Sequence, residues 1–464
     1  MIVTLPPTDT FSHFEVLIEE HRTFEQEGNT QPSRLRQLVP TIGLFHTHLP
    51  LRAAFEIYNE KHRLTKRKHI QISFNELRHI MNLAQIMALN QLKPGEQCPN
   101  PFESSGTFGS NVDILKGLVD DDLQEQVFSQ LNGPKLISFD GDQTLYSDGA
   151  NFDSNPRLAN YLYQLLRHGV TVAIVTAAGY EYNVEKYEYR LSGLLHYFQS
   201  RGLTDEECGR FYLFGGECNY LFKLHSDYRL HPVREDGPGG WLTATQYLKE
   251  TPGNWPDDEV LALLDISFEV ASKALEELNL RGRVIRKKRS VGLVPIPGQE
   301  MTRESLDEIV LRVHEVVHRM NDGKGPGLPY CAFNGGGDTW IDVGNKRVGV
   351  QILQSYLGIP PNETLHIGDQ FLNTGNDYAA RDVAPCIWII NPQETTYVLK
   401  SILRLAGVSV RLPEERGDDS DASTDGHAEL GEHSQEHINF EEMERRTKAV
   451  QMMDVYTGEM RPIT

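Results

Sequence analysis

Asp140 and Asp142, separated by a single glycine in FDGDQTLYSDG, follow the apolar run LISF. A strand ending there would set both carboxylates at the carboxyl edge of a parallel sheet, where such sheets build their sites. Two carboxylates held close repel each other unless a cation lies between them. Mg2+ is the natural cation, because it is hard, oxygen-ligated and usually bound together with substrate phosphate oxygens. Taken alone, the segment could also be an acidic loop after a strand. Three other segments carry complementary groups. In VTAAGY, Thr176 ends a strand, and its hydroxyl with nearby amides can hold a phosphate oxygen. In NKRVGV, Lys346 heads a helix, where it could neutralise a phosphoryl group or simply lie on a solvated surface. In LHIGDQFLNTGND an apolar strand delivers Asp369, and a glycine-containing loop returns to Asp377. Asp369 can supply the third carboxylate of a metal site.

The elements that must position these groups are readable from apolar spacing. Residues 1–130 form a helical region, with FSHFEVLIEEHRTFEQ, LRAAFEIYNEKHRL and FNELRHIMNLAQIMALNQL repeating apolar residues at three and four. From Lys135 the pattern becomes strand, helix, strand, the grammar of a parallel α/β sheet. It pauses after Gly179 and resumes with VGVQILQSYLG, TLHIGD and APCIWIINP. The expected core is therefore discontinuous, 131–179 plus 335–412, around an inserted domain at 180–334. That insertion holds two long helical stretches and a basic strand, RGRVIRKKRSVGLVPI. The acidic tail 413–464 has too few apolar residues to offset the entropy of ordering and is expected to be largely disordered.

The chain has 464 residues and a formal net charge of −20, of which the stretch from Glu414 to Glu444 supplies a net eleven. Such a balance argues against a nucleic-acid partner. Five cysteines, odd in number and without CxxC pairs, read as reduced thiols. With neither a long apolar run nor a cleavable leader, a cytoplasmic protein without membrane contact is expected.

The four segments, in this order and with an insertion between the second and third, resemble the four motifs of the haloacid dehalogenase superfamily. That resemblance implies a Rossmann-like core with an inserted α+β cap. Asp140 would attack phosphorus to form an aspartyl-phosphate, and Asp142 would protonate the leaving oxygen and then activate water. Asp140, Asp142 and Asp369 would ligate Mg2+, Asp142 through its carboxylate or its backbone oxygen. One departure is Gln143, which stands where the common first motif has glycine.

The longer strings FDGDQTLYSDG, FNGGGDTWIDVGNKRVGV and GDQFLNTGND are similar to the IMP-specific 5′-nucleotidases, over most of residues 40 to 410. This narrower resemblance implies hydrolysis of IMP to inosine and phosphate in purine salvage, with substrate contacts at Asp142, Asp148, Thr176, Asp338 and Lys346. Asp148 could accept from ribose hydroxyls or be a turn residue, and Asp338 could likewise be a turn residue. Trp340 could stack on a purine or be a buried strand aromatic. The basic residues Arg286 to Arg289 could approach the phosphate or form an exposed charged strand. The resemblance also implies ATP activation at the helical region, near Lys66 to His69 or Arg78 and His79, and a homotetramer. The sequence has no P-loop of its own. A sugar-phosphate phosphatase or phosphomutase is the alternative enzyme, and a non-catalytic ATP-sensing scaffold is the alternative of another class.

Overall fold

The computed structural model describes residues 2–4, 51–66, 71–90, 133–153, 155–323, 325–372, 374–406, 408, 451–453 and 460–462. The helix expected at 11–26, the basic residues 67–69, Cys98 and most of the acidic tail lie outside them. The other four cysteines are buried free thiols. No helix among the described residues is long and apolar enough to cross a membrane.

Two helices of the N-terminal region, α1 (Leu51–His62) and α2 (Phe74–Asn90), precede the core. The core strands are β1 (Leu136–Phe139), β2 (Thr171–Val175) and β3 (Phe211–Gly215), followed by β4 (Tyr220–Leu224) and β5 (Leu230–Pro232). Between β1 and β2 runs α3 (Pro156–Arg167), started by the side chain of Asn155 and a proline in its first turn. After β2 comes the short α4 (Val184–Arg190). Every residue of β1, β2 and β3 is buried, as expected of strands covered on both faces.

A second sheet comprises β6 (Gly282–Arg286), β7 (Ser290–Pro295), β8 (Tyr330–Asn334) and β9 (Thr339–Val343). Helices α5 (Asp257–Glu277) and α6 (Arg303–His318) pack on each other and on this sheet. The chain then returns to the core through α7 (Lys346–Leu357), β10 (Thr364–Gly368), β11 (Cys386–Trp388) and α8 (Pro392–Leu405). The core sheet has the order β11-β10-β1-β2-β3-β4-β5, parallel from β11 to β3 and antiparallel beyond. The smaller sheet is antiparallel in the order β8-β9-β7-β6. The architecture is the expected α/β one: a Rossmann-like core, an inserted α+β unit and a helical N-terminal region.

The boundaries differ from the expected 180–334. Residues 211–232 extend the core sheet, because FYLFG is wholly buried beside β2 and a tight turn folds β4 back on it. Conversely, 339–343 leave the core and fill the place between β8 and β7. The basic segment also forms a hairpin rather than one strand, closed by the Lys287 amide donating to the Ser290 carbonyl at 2.8 Å.

Candidate active site

β1 and β10 are adjacent and parallel, so Asp140 and Asp369, each the residue after its strand, emerge side by side. Among the described residues, Asp140, Asp369 and Asp377 bring one carboxylate oxygen each within 4.8 Å of one another. Lys346, the first residue of α7, points into this group. Its Nζ lies 2.8 Å from Asp140 Oδ1 and 2.6 Å from Asp377 Oδ1. It is completely buried and not the surface lysine that its sequence context also allowed. Burial pulls the Lys346 pKa down, but the surrounding Asp140, Asp377 and Glu217 outweigh this and hold it above the usual lysine range.

Asp377 is committed on all sides. Its Oδ1 accepts from Lys346 and from His366 Nε2 at 2.9 Å, and its Oδ2 accepts from the amides of Asp369 at 3.1 Å and Gln370 at 2.9 Å. The hydrogen-bond network assigns the proton of His366 to Nε2, leaving Nδ1 to accept from the Ser138 hydroxyl at 2.9 Å. Burial pushes the Asp377 carboxyl up, yet Lys346 and His366 together hold it well below the usual range. Asp140 and Asp369 behave oppositely. Burial, partly opposed by Lys346, pushes Asp140 up to about 7. Burial and the negative charges of Asp140 and Asp377 raise Asp369 well above its ordinary value. Asp369 Oδ1 is buried without a hydrogen-bond partner. Converging carboxylate oxygens, one of them unsatisfied, fit a hard divalent cation. Asp140 and Asp369 are the groups free to hold it, while Asp377 fixes Lys346 and the loop behind them.

The Asp142 carboxylate, expected to be either a ligand or a proton carrier, lies outside that three-carboxylate group. Its Oδ1 accepts from Arg190 Nη2 at 2.5 Å and from the Gly149 amide at 3.0 Å. Gln143 takes a left-handed backbone, φ 56°, which explains why glycine suits that position and shows that this chain bears the strain with a side chain present. Thr176 is buried at the end of β2, and its Oγ1 accepts from the Ala178 amide at 3.1 Å. A Cβ built on Gly141 would lie 3.3 Å from that oxygen, so the hydroxyl borders the first motif.

Asp338 sits at the tip of the β8–β9 hairpin, in the smaller sheet and not in the core. Burial raises its pKa, with neighbouring Asp148 adding to the effect. Burial and Asp142 raise Asp148. Asp148 reaches the tip of this hairpin, its Oδ2 lying 3.1 Å from where a Cβ on Gly336 would stand. Trp340 packs over Gly292 and carries Lys287 Nζ 4.1 Å above its ring, so both partners occupy its surface. Of the other basic residues, Arg286 pairs with Asp265, and Arg289 lies 5.9 Å from the Trp255 ring.

Sequence reasoning missed His366, Asn376, Arg190 and Glu217. Glu217 is fully buried; its Oε1 accepts from Asn376 Nδ2 at 3.1 Å, its Oε2 has no partner, and burial raises its pKa well above normal. A lone histidine inside the apolar run before GD was the available signal for His366. Glu217, in a turn, offered none. Arg78, considered as an ATP contact, is buried and engaged with Trp388 and Glu394. It is not a free anion receptor.

The chain matches a family model described as IMP-specific 5′-nucleotidase over residues 7–399. It is 37% identical to IMP-specific 5′-nucleotidase 1 of Plasmodium falciparum, covering 81% of this chain and 74% of that one. With the protein of that name from Yarrowia lipolytica the identity is 36%, covering 85% and 84%. Among solved structures, an IMP-bound mutant of Plasmodium falciparum IMP-nucleotidase aligns with TM-score 0.66 at 36% identity, covering 86% of this chain and 89% of that one. An ATP-bound structure of that nucleotidase aligns with TM-score 0.64 at 36% identity, covering 86% and 81%. On this agreement of motifs, fold and relatives, the chain belongs to the IMP-specific 5′-nucleotidase family.

Proposed function

We propose that this protein hydrolyses IMP to inosine and inorganic phosphate with Asp140 as nucleophile. The observation that carries the reading is the buried Asp140 carboxylate held against Lys346 and beside Asp369. An Asp140 oxygen attacks phosphorus, the bond from phosphorus to the 5′-oxygen breaks, and Asp142 gives that oxygen its proton. Water, losing a proton to Asp142, then attacks the aspartyl-phosphate, and the bond from phosphorus to Asp140 breaks to release phosphate. Lys346 and Thr176 hold the phosphoryl oxygens, and Lys346 stabilises their negative charge. Asp140 and Asp369, with Asp142 through its backbone oxygen, would hold Mg2+, which offsets phosphoryl charge so that a carboxylate can approach. The proton-carrying role requires the Asp142 carboxylate to leave Arg190. Asp148 and Asp338 take ribose hydroxyls, and the inserted unit acts as a lid that excludes water.

The family match spans both the core and the inserted unit, which favours a nucleotide over a sugar phosphate. ATP activation through the helical region, a homotetramer and a cytoplasmic location belong to the same reading, and the ATP-bound relative supports the first. The test is phosphate release from IMP, AMP, GMP and hexose phosphates, with Mg2+ or a chelator and with or without ATP. IMP turnover should exceed the others, vanish on chelation and rise with ATP. Asp140→Asn should abolish turnover while the circular dichroism spectrum stays that of the parent, and retained activity would remove Asp140 as nucleophile.

A further inference from the structure

β11 is the edge of the core sheet, and no strand among the described residues pairs with its outer side. Unpaired edge groups need covering, and α2 covers them. Asn82 forms a two-way pair with the backbone of one residue, its Nδ2 donating to the Trp388 carbonyl at 2.5 Å and its Oδ1 accepting from the Trp388 amide at 3.2 Å. Arg78, 1% exposed, donates from Nη1 to the same carbonyl at 2.6 Å. It also grips the Glu394 carboxylate of α8 through two bonds of 2.7 and 2.9 Å. Glu394 in turn accepts from the Ile390 amide at 3.1 Å, so the chain just beyond β11 is fixed as well.

From that clamped backbone the Trp388 side chain turns toward the site. Its ring, 7% exposed, meets Phe371 edge-on with centroids 6.3 Å apart. Its Nε1 donates to the Asp369 carbonyl at 2.7 Å. The Asp369 amide is held by Asp377 at 3.1 Å, so this residue is tied at both its N–H and its C=O. With its N–H held by Asp377 and its C=O by Trp388, the Asp369 backbone is fixed by groups other than the proposed ligands Asp140 and Asp369.

We propose that Arg78 and Asn82, on a helix that precedes the core in sequence, are positioning residues for the metal site. They lock the Trp388 backbone from outside, and the indole N–H carries that constraint to Asp369. The proposal rests on Asp369 being a metal ligand, as read above. It assigns the N-terminal helical region a share in holding the divalent cation.

The test uses the full-length protein and Mn2+ as a paramagnetic probe, with binding followed by electron paramagnetic resonance and by calorimetry. Trp388→Phe keeps the ring and deletes the donor, Asn82→Ala deletes the two-way pair, and Asp369→Asn sets the floor. Removal of such supporting groups weakens metal binding by roughly 10- to 100-fold. Both Trp388→Phe and Asn82→Ala should therefore lose at least about tenfold in Mn2+ affinity, with a matching rise in half-saturating Mg2+ for IMP turnover. At saturating metal their KM for IMP should equal that of the unaltered protein. If Asn82→Ala does not fold, Arg78→Lys, which keeps the charge but not the forked grip, takes its place. Wild-type affinity in Trp388→Phe overturns the proposal, as does an effect confined to Trp388→Phe, or a KM that stays raised at saturating metal. Wild-type affinity in Asp369→Asn removes its premise. Mn2+ binding without IMP hydrolysis in the unaltered protein refutes the proposed function and leaves this test standing.

Discussion

At the scale of single residues, the charge at the centre of the site is supplied by an ammonium group without access to water. Lys346 satisfies Asp140 and Asp377 at once, and among the described residues no other lysine or arginine pairs with either carboxylate. Lys346→Met should therefore remove activity and also destabilise the fold by about 3–5 kcal/mol, the usual cost of leaving buried charge unpaired. Urea unfolding measures this, and a variant as stable as the parent would show that the carboxylates neutralise themselves by taking up protons. Lys346→Arg should not restore activity, since a planar fork cannot replace a compact ammonium in a closed space. Asp140, Thr176, Lys346 and Asp369 were legible in the sequence because each stands at the junction of a strand or helix with a loop. Asp377 was visible as a residue but not as a hub, because the four donors that meet on it come from α7, β10 and the loop after β10. Where Asp142 would turn was equally hidden, since Arg190 lies 48 residues away.

At the scale of elements, two short motifs hold the reacting groups in register. Gly368 ends β10 with the Asp377 carboxylate against its backbone, and a Cβ there would lie 2.4 Å from that carboxylate. Gly368→Ala should push Asp377 away and shift Lys346 with it. A displacement near 1 Å can cost about 10²-fold in rate, so kcat should fall by that order while the circular dichroism spectrum is unchanged; an unaltered kcat would mean that the loop absorbs the methyl group. Asn345 caps α7 by accepting from the Val348 amide at 3.0 Å. Asn345→Ala should cost about 1 kcal/mol, read as a lower urea midpoint, together with a reduced kcat because Lys346 is the next residue. Helices and buried strands were legible from their periodicity, and α2, α5, α6 and α7 fall where that pattern puts them. The extent of the inserted unit was not. An apolar run such as FYLFG shows that it is buried without showing which sheet buries it, and TWIDV reads alike as the return to the core or the closing strand of the smaller sheet.

At the scale of the whole molecule, the site gathers carboxylates from separate parts of the chain, with one oxygen of each within 4.8 Å of the others, and Lys346 bonds two of the three. Mg2+ should raise the melting temperature, since a ligand at a hundred times its dissociation constant adds about 2.7 kcal/mol to stability. Asp369→Asn should lose that increment, and an equal gain in both proteins would place the ion elsewhere. The α/β class was legible as a whole because the strand and helix periods alternate, whereas the clamp of α2 on β11 joins residues 310 apart and leaves no local trace. That clamp sets an order for making the enzyme. A growing chain presents Asp140 first, and its supports at Asp369, Trp388 and Glu394 leave the ribosome long after it. Nascent chains stopped before residue 369 lack one of the converging carboxylates and should thus release no phosphate from IMP, which an assay of stalled chains would check.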